Sequence, residues 1–598
     1  MTTPSTGALP RKLRLWPGVV AVVLLLIARF GVKAIVPGIK GFGMGMMGSF
    51  ALTLILIVWW AFFSRAQRAE RFGALGLVAV ALGGTWGLRH RSMWLPWLLA
   101  YAIPLLCLAF VGWAVTTRNL SNRIRRITMV ATIVLFSGVW LLARQNGING
   151  DHNADFGWRW AASSEERLLA DNEEPPAPVP LVPTATPALT AVAPAASPSA
   201  TPTTDAAKDP AASAPAAKAQ AEWPGFRGLR RDGVVRGVRI KTDWTASPPA
   251  QLWHRPVGPG WSSFAVAGDL FYTQEQRGDD EVVACYKATT GQPVWSHHDK
   301  ARFFESNGGA GPRATPTLSN GRVYSFGATG ILNALDAASG AVVWSRNVAT
   351  EIGTKTPFWG FSGSPLVIGD TVIVAASGQL AAYDAATGNR RWLGPATSGS
   401  YSSPQPATID GVAQVLLRSD SGLISVAPTD GKEIWEHQWE GNSIVQPALT
   451  PEGDVLITSQ ENGTRSLSVA HDSGGWTVRE KWTSNGLKPY FNDFVVHKGF
   501  AFGFDGRILA CIDLKDGQRK WKGGRYGNGQ LVLLPDQDLL LVVSEEGELA
   551  LVNATPDQFT EIAKVPGIQG KTWNHPVLVR DILLVRNGEE MAAFRLSR

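Results

Sequence analysis

The pattern of apolar and polar positions divides this chain of 598 residues into two unlike parts. In the N-terminal part, apolar residues form five long runs, at residues 15–35, 47–64, 72–88, 93–116 and 127–143. Each run approaches the ~20 residues with which a helix crosses a bilayer. The C-terminal part instead contains short apolar or alternating runs, such as residues 371–376, which are typical of β-strands. The pattern therefore predicts a transmembrane helical anchor at residues 1–144 and an all-β domain at residues 222–598.

The β domain repeats one short phrase, in which Asp-Ala-x-Thr/Ser-Gly is followed by Trp four residues after the glycine. The copies are Asp336 to Trp344, Asp384 to Trp392 and, with changes inside the phrase, Asp513 to Trp521, Gly291 to Trp295 and Gly431 to Trp435. Trp253 and Trp482 continue the series, and Phe559 stands where the next Trp is due. Asp and Gly favour a tight turn, while Trp offers an apolar surface that must be buried against a neighbouring unit. A strand-rich repeat of about 40–50 residues is typical of a β-propeller.

The starts of the repeats give a count. Each unit opens with a polar residue that leads into an apolar strand, and the openings are Ser263, Thr315, Ser364, Ser403, Gln446, Asp493, Gln530 and His575. This predicts an eight-bladed propeller. The last unit lacks a terminal Trp strand, whereas Trp253 precedes the first unit and lacks a blade. We therefore expect the two chain ends to pair, which leaves no open sheet edge.

The net charge of +7 is unevenly distributed. Residues 1–144 contain 16 Lys or Arg and one acidic residue, Glu70, so the rest of the chain carries −8. A mildly acidic soluble part predicts no nucleic-acid partner. Ten of the N-terminal cations fall on the side of the predicted helices that holds the N-terminus, and five on the other side. The positive-inside rule then predicts a multi-pass protein of the bacterial inner membrane with its propeller in the periplasm.

Residues 145–221 connect the two regions. The spacing of Ser163 and Glu166 predicts a short capped helix. Residues 172–221 are rich in Pro, Ala, Thr and Ser, which predicts a disordered tether. Such a tether would let the propeller stand off the membrane.

The phrase Trp223-Pro-Gly-Phe-Arg-Gly228 resembles the entry segment of bacterial quinoprotein-like propellers. With the Asp-Ala-x-Thr-Gly-x-x-x-Trp units, the resemblance covers residues 223–598 and implies a propeller with repeats of the pyrroloquinoline quinone (PQQ) type. The family includes BamB-like scaffolds of outer-membrane assembly and the PQQ-dependent dehydrogenases. The N-terminal helices are similar in layout to those of membrane-bound glucose dehydrogenases. Because one fold hosts many functions, the resemblance leaves the activity open.

A propeller usually binds its ligands at one mouth of the central channel, where the inner strands begin. Here that ring would hold Ser263, Thr315, Ser364, Ser403, Gln446, Asp493, Gln530 and His575, with Arg313, Trp359 and Asn492 from adjoining loops. Neither packing nor turns demand polar residues at the ring positions. They therefore predict a small polar or anionic ligand, or else ordered water.

Two functions fit this ring. We favour a binding or scaffold module, without enzymatic activity, whose partners are the lipid bilayer and a periplasmic protein or small ligand. The alternative is a PQQ-dependent dehydrogenase that oxidises an alcohol or sugar and passes electrons to quinone, with Asp493 and His575 as candidate catalytic residues. Asp493 and Asn492 offer few oxygen ligands for the calcium that would accompany PQQ. His297, His298 and Asp299 lack a further ligand at a diagnostic spacing, so no metal site is predicted.

Overall fold

The computed structural model describes residues 14–36, 38–150, 153–170 and 221–598. These form a helical region, a connecting hairpin with a short helix, and a propeller. The predicted tether at residues 172–221 lies, except for Ala221, outside the described residues.

The helical region agrees with the predicted apolar runs. Its helices are Trp16–Leu26, Val32–Ile35, Gly38–Val58, Arg68–Leu88, Leu95–Thr116 and Asn122–Gly138, with π-helical turns at Ile27–Gly31 and Trp59–Phe63 and a 3-10 turn at Val139–Leu142. Four segments are long and apolar enough to cross a membrane, namely Gly41–Phe63, Arg68–Leu88, Leu95–Thr116 and Asn122–Leu142. The first helical segment, Trp16–Gly31, is shorter.

One helix begins earlier than its apolar run. The run starts at residue 72, but the helix starts at Arg68 and includes Glu70, which is buried. Glu70 forms ion pairs with Arg125 and Arg126 of the last long helix. A carboxylate buried beside two guanidinium groups keeps its charge compensated, so this acid joins two helices.

The β domain consists of eight four-stranded antiparallel sheets. In chain order, the strands of blades 1 to 8 are Ala265–Ala267, Leu270–Arg277, Asp280–Lys287, Pro293–Asp299; Thr317–Ser319, Arg322–Phe326, Ile331–Asp336, Val342–Asn347; Leu366–Ile368, Thr371–Ala376, Gln379–Asp384, Arg390–Ala396; Gln405–Ile409, Val412–Ser419, Gly422–Val426, Glu433–Gln438; Ala448–Leu449, Val455–Ser459, Gly463–Asp472, Gly475–Ser484; Val495–His497, Phe500–Asp505, Ile508–Asp513, Arg519–Arg525; Gln530–Leu534, Leu539–Val543, Glu548–Asn553, Glu561–Pro566; and Val577–Val579, Ile582–Arg586, Glu590–Arg595, completed by Ala250–Pro256. Ala250–Pro256 pairs antiparallel with Glu590–Arg595, which confirms the predicted closure of the ring.

The repeated Trp and Gly join neighbouring blades. Trp344 of blade 2 lies on Gly388 of blade 3, where an added Cβ would come within 2.5 Å of the indole. Its Nε1 also donates to the carbonyl of Ala385 at 3.0 Å. Gly388 has a φ of +70°, so both its backbone conformation and the close indole require a glycine. The glycine of each phrase thus receives the Trp of the preceding blade.

Phe559 departs from this pattern. It precedes the outer strand of blade 7 and packs back on Trp521 of blade 6, with ring centroids 5.8 Å apart. An added Cβ on Gly523 would come within 2.4 Å of the same ring. The interpretation of Phe559 as the next Trp equivalent is therefore wrong, because its ring contacts the preceding blade.

The connecting region docks the propeller onto the helices. Strands Ala143–Ile148 and Ala154–Trp158 form a hairpin that the sequence reasoning did not predict, and the predicted capped helix is Ser164–Ala170. The N–H of Ile148 donates to the carbonyl of Asn307 in the propeller at 2.8 Å. Trp97 Nε1 of the helical region donates to Asn307 Oδ1 at 3.2 Å. The expectation that the propeller stands off the membrane region is wrong, because these contacts hold the two together.

Candidate ligand cavity at the propeller mouth

A cavity of about 300 Å³ lies where the inner strands begin. The hairpin residues Ile148 to Gly150 line one side of it, and Phe226 of the entry segment lines another. The predicted residues that line it are Ser263, Thr315, Ser364, Ser403, Asp493, Gln530, His575, Arg313 and Trp359. The tertiary structure therefore brings nine of the eleven nominated residues to one cavity.

The other two nominated residues point elsewhere. Gln446 accepts a hydrogen bond from Arg231 Nε at 3.3 Å and donates to the carbonyl of Arg231 at 3.0 Å. Asn492 is buried and its Oδ1 accepts from the N–H of Tyr490 at 3.0 Å. Both side chains form hydrogen bonds within the protein, and neither lines the cavity.

The ring residues join adjacent blades by hydrogen bonds. Backbone N–H groups donate to the ring side chain of the next blade, from Ser263 to Thr315 Oγ1 at 3.0 Å, from Thr315 to Ser364 Oγ at 2.9 Å, from Ser364 to Ser403 Oγ at 2.9 Å, and from Asp493 to Gln530 Oε1 at 3.3 Å. A buried backbone donor at each of these joints needs an acceptor. The argument that packing demands no polar residues here was therefore wrong, and the hydroxyls by themselves do not indicate a ligand.

Asp493 and His575, the two catalytic candidates, bind each other. His575 Nε2 lies 2.9 Å from one carboxylate oxygen of Asp493, and Arg227 Nη1 lies 3.3 Å from the other. Burial alone would raise the pKa of Asp493, but the charge of Arg227 and the His575 hydrogen bond outweigh burial, so this pKa lies below its usual range. Burial lowers the pKa of His575, which the Asp493 carboxylate only partly offsets. The pair therefore consists of a neutral imidazole and a compensated carboxylate.

The remaining charged groups of the cavity wall are also paired. Arg313 Nη2 contacts Glu305 Oε1 at 3.1 Å and donates to the carbonyl of Gly309 at 2.9 Å. Arg313 Nη1 donates to the carbonyl of Gly311 at 2.9 Å. Burial lowers the pKa of Arg313, and Glu305 partly restores it. Among the described residues that line the cavity, every charged side chain thus has a protein partner.

Aromatic rings surround the mouth above this layer. Trp261 and Trp573 lie with ring centroids 4.8 Å apart, Phe491 lies 4.7 Å from Trp573, and Trp359 lies 4.8 Å from Tyr401. Trp261, Phe491 and Phe226 were not nominated from the sequence. A signal for the rim was nonetheless present, because Trp261, Tyr401, Phe491 and Trp573 each stand two residues before a ring position. In an extended chain, positions two apart face the same side.

Comparisons with known proteins agree with this fold. The family model described as "Outer membrane protein assembly factor BamB" matches residues 244–408 and 278–523. BamB of Yersinia pestis is 24% identical over 324 residues, which cover 51% of this chain and 70% of that protein. The β domain is therefore a BamB-like propeller with PQQ-type repeats.

Solved structures of similar fold include a BamB protein and an alcohol dehydrogenase. BamB from Moraxella catarrhalis matches with a TM-score of 0.43 and 16% identity, over 58% of this chain and all (100%) of that one. The quinohemoprotein alcohol dehydrogenase ADHIIG from Pseudomonas putida HK5 matches with a TM-score of 0.48 and 12% identity, over 63% and 80%. Likeness at this level describes the fold alone. The resemblance of the helices to those of membrane-bound glucose dehydrogenases stays a prediction.

Proposed function

We propose that this chain is a binding module anchored in a bacterial inner membrane, whose propeller faces the periplasm and holds an uncharged ligand in the mouth cavity. The curated relatives are named assembly factors, so the proposal includes a periplasmic protein as a partner of the outer blade surfaces. The helical region supports the anchor through its four long apolar segments.

The pairing of every charged group in the cavity carries the proposal. A ligand carboxylate would meet no unpaired cation, because Arg313 is already bound to Glu305 and to backbone carbonyls. The aromatic rim instead suits a flat apolar face, and the ring hydroxyls suit ligand hydroxyl groups. Nδ1 of His575 is buried without a partner among the described residues, so it can accept one such hydroxyl. A neutral saccharide or a similar polyol with a flat face has both properties.

The residues fit PQQ with calcium poorly. Calcium needs several oxygen ligands, yet the carboxylates of Asp493 and Glu305 are each bound to an arginine. Within the described ranges, no cluster of three or more His, Cys, Asp or Glu residues is placed to hold a metal. A base with a lowered pKa that is tied to Arg227 is also a weak proton acceptor. We therefore place the dehydrogenase second.

Titration of the full chain in lipid nanodiscs with neutral saccharides, followed by tryptophan fluorescence, tests the ligand class. We expect saturable changes with neutral compounds, weaker ones with their carboxylated counterparts, and loss of the response in Trp359→Ala. Trp476→Ala is the matched control, because Trp476 stacks on His471 away from the cavity. Tighter binding of the carboxylated compounds would contradict the proposal. Stoichiometric PQQ binding with dye-linked oxidation that disappears in Asp493→Ala would establish the dehydrogenase instead.

A further inference from the structure

One arginine is buried among the apolar helices without a polar partner. Arg29 lies in the π-helical turn Ile27–Gly31 and is only 2% exposed. Its Nε and Nη2 atoms are buried and have no hydrogen-bond partner among the described residues. A charge buried without a counterion is strongly destabilising, and an ionisable side chain inside a membrane usually has a functional role. Turns of π-helix are also frequent at functional sites.

Three aromatic rings surround this charge. The centroids of the Phe30, Phe42 and Tyr101 rings lie 5.5, 5.5 and 4.9 Å from Cζ of Arg29. The faces of these rings attract a cation, but they supply no strong acceptor for its N–H groups. Phe30 is itself 60% exposed, so in the proposed membrane anchor lipid borders the cage on that side.

The helical region has no acidic residue to spare for Arg29. Glu70 is the only Asp or Glu in residues 1–144. It forms ion pairs with Arg125 and Arg126 instead. These three residues stand near the start of their helices, at the end that the proposed topology places in the cytoplasm.

The connecting hairpin does not supply the anion either. Phe156 packs on Tyr101, with ring centroids 5.1 Å apart. Asp155 is its neighbour on the same strand, so the Asp155 side chain points to the opposite face, away from Tyr101. Asp155 lines a cleft at the propeller rim together with Lys571. The described part of the chain thus leaves Arg29 without a counterion.

The depth of Arg29 in the membrane indicates where an anion is available. Tyr101, which faces Arg29, follows the start of the helix Leu95–Thr116 by six residues, or about 9 Å at 1.5 Å per residue. Trp97 near this start donates to Asn307 of the propeller, so this is the outer end of the helix. The headgroup layer on each side of a bilayer is roughly 5–8 Å thick, and a long arginine side chain extends toward it. The phosphates of the outer leaflet are therefore within reach of the guanidinium.

We propose that Arg29 binds the phosphate of an anionic phospholipid in the outer leaflet. Two phosphate oxygens match the planar fork of a guanidinium. A headgroup amine would find no acidic partner in the helical region at this end, so phosphatidylglycerol fits better than phosphatidylethanolamine or phosphatidylcholine. Tyr101 Oη accepts a hydrogen bond from the N–H of Ala154 at 2.9 Å, which places this lipid beneath the hairpin that docks the propeller. The site rests on the proposed membrane anchor and not on the ligand of the mouth cavity.

Native mass spectrometry of the full chain, released from nanodiscs with phosphatidylglycerol, phosphatidylethanolamine or phosphatidylcholine, tests the proposal. We expect wild type to retain phosphatidylglycerol about tenfold better than the other two, because a hydrogen bond to a charged group is gained. Arg29→Met should lose this preference, and Arg29→Lys should keep part of it, since an ammonium group retains the charge but lacks the fork. Arg118→Gln, which removes an exposed arginine at the other end of the helices, is the matched control. Equal retention of the three lipids by wild type, or an unchanged preference in Arg29→Met, would overturn the site.

Thermal unfolding in detergent distinguishes the sources of the phosphate. Added phosphatidylglycerol should raise the Tm of wild type but not that of Arg29→Met, which should fold because it only removes an uncompensated charge. Glycerol phosphate and inorganic phosphate should leave the Tm unchanged. An equal rise with these compounds would mean a soluble phosphate ligand and overturn the lipid assignment.

Failure of this site is distinguishable from failure of the proposed function. Absence of retained lipid in every arm would overturn the membrane anchor and the site with it. Saccharide titration of Arg29→Met should match that of wild type, because the mouth cavity does not include Arg29. Loss of the saccharide response in this variant would overturn the independence of the two sites.

Discussion

Replacing Asp493 by Asn tests whether this residue is structural or catalytic. The side chains of Arg227 and Asp493 are 1% and 5% exposed, so the substitution leaves a buried guanidinium without its counterion. Breaking a buried pair from one side costs about 3–5 kcal/mol. For a propeller of about 380 residues, the size scaling of unfolding entropy converts this to a Tm lower by roughly 4–6 °C.

Thermal unfolding of the full chain by near-UV circular dichroism measures the effect. Arg227→Met combined with Asp493→Asn should recover part of the loss, because the double variant contains neither buried charge. Asp232→Asn is the control, since its ion pair with Arg236 is partly exposed and contributes little. A Tm within about 1 °C of wild type for Asp493→Asn would refute the argument. A double variant whose loss in Tm exceeds the sum of the losses in the two single variants would also refute it.

Three further outcomes follow from other parts of the structure. Trp344→Ala should lower the free energy of unfolding by about 3–5 kcal/mol in chemical denaturation, because it removes a buried side chain between blades 2 and 3. An effect below about 1 kcal/mol would show that Trp344 does not hold these two blades together. The free energy of unfolding should fall as the pH drops below ~6.5, because burial lowers the pKa of His575 and the folded state then binds fewer protons than the unfolded state in this pH range. His575→Gln should flatten this pH dependence in chemical denaturation. An unchanged pH profile would show that other groups cause the dependence. Gly150→Val should displace the chain at Gly150, because a Cβ there would lie 1.9 Å from Asn528 Nδ2. Acrylamide should then quench the rim tryptophans faster than in the control Gly588→Ala, where an added Cβ would meet no atom within 4 Å. Equal quenching in the two variants would mean that this part of the hairpin does not cover the cavity.

The fold was accessible from the sequence because its signals are local. A turn phrase with Gly four residues before Trp repeats along the chain, and each copy satisfies its own turn, as when Asp336 Oδ1 accepts from the N–H groups of Ala338 and Ser339. Eight openings with polar residues gave the number of blades, and the incomplete first and last units gave the closure. Phe559 was misassigned because spacing does not show which neighbour a ring contacts.

The location of the ring residues could also be predicted from the sequence, but their chemical role could not. Nine of the eleven nominated residues line one cavity because equivalent positions of equivalent blades must converge on the axis. Whether the polar atoms of these residues are free to bind a ligand depends on hydrogen-bond partners that lie far away in the sequence. Arg227, for example, lies 266 residues from its partner Asp493. The sequence predicted a small polar or anionic ligand at this ring, and the proposal keeps only the uncharged, polar kind.

The sequence alone determined the apolar helices, the eight sheets and the closure of the ring, since periodicity and turn chemistry act between residues close in the chain. Only the tertiary structure decided that the paired strands Ala143–Ile148 and Ala154–Trp158 dock the propeller on the helical region and that the N–H of Gly150 donates to Glu545 Oε1 at 2.6 Å. It alone decided that the charged groups of the cavity are paired with one another. These features depend on long-range hydrogen bonds and ion pairs, whose partners no local pattern encodes.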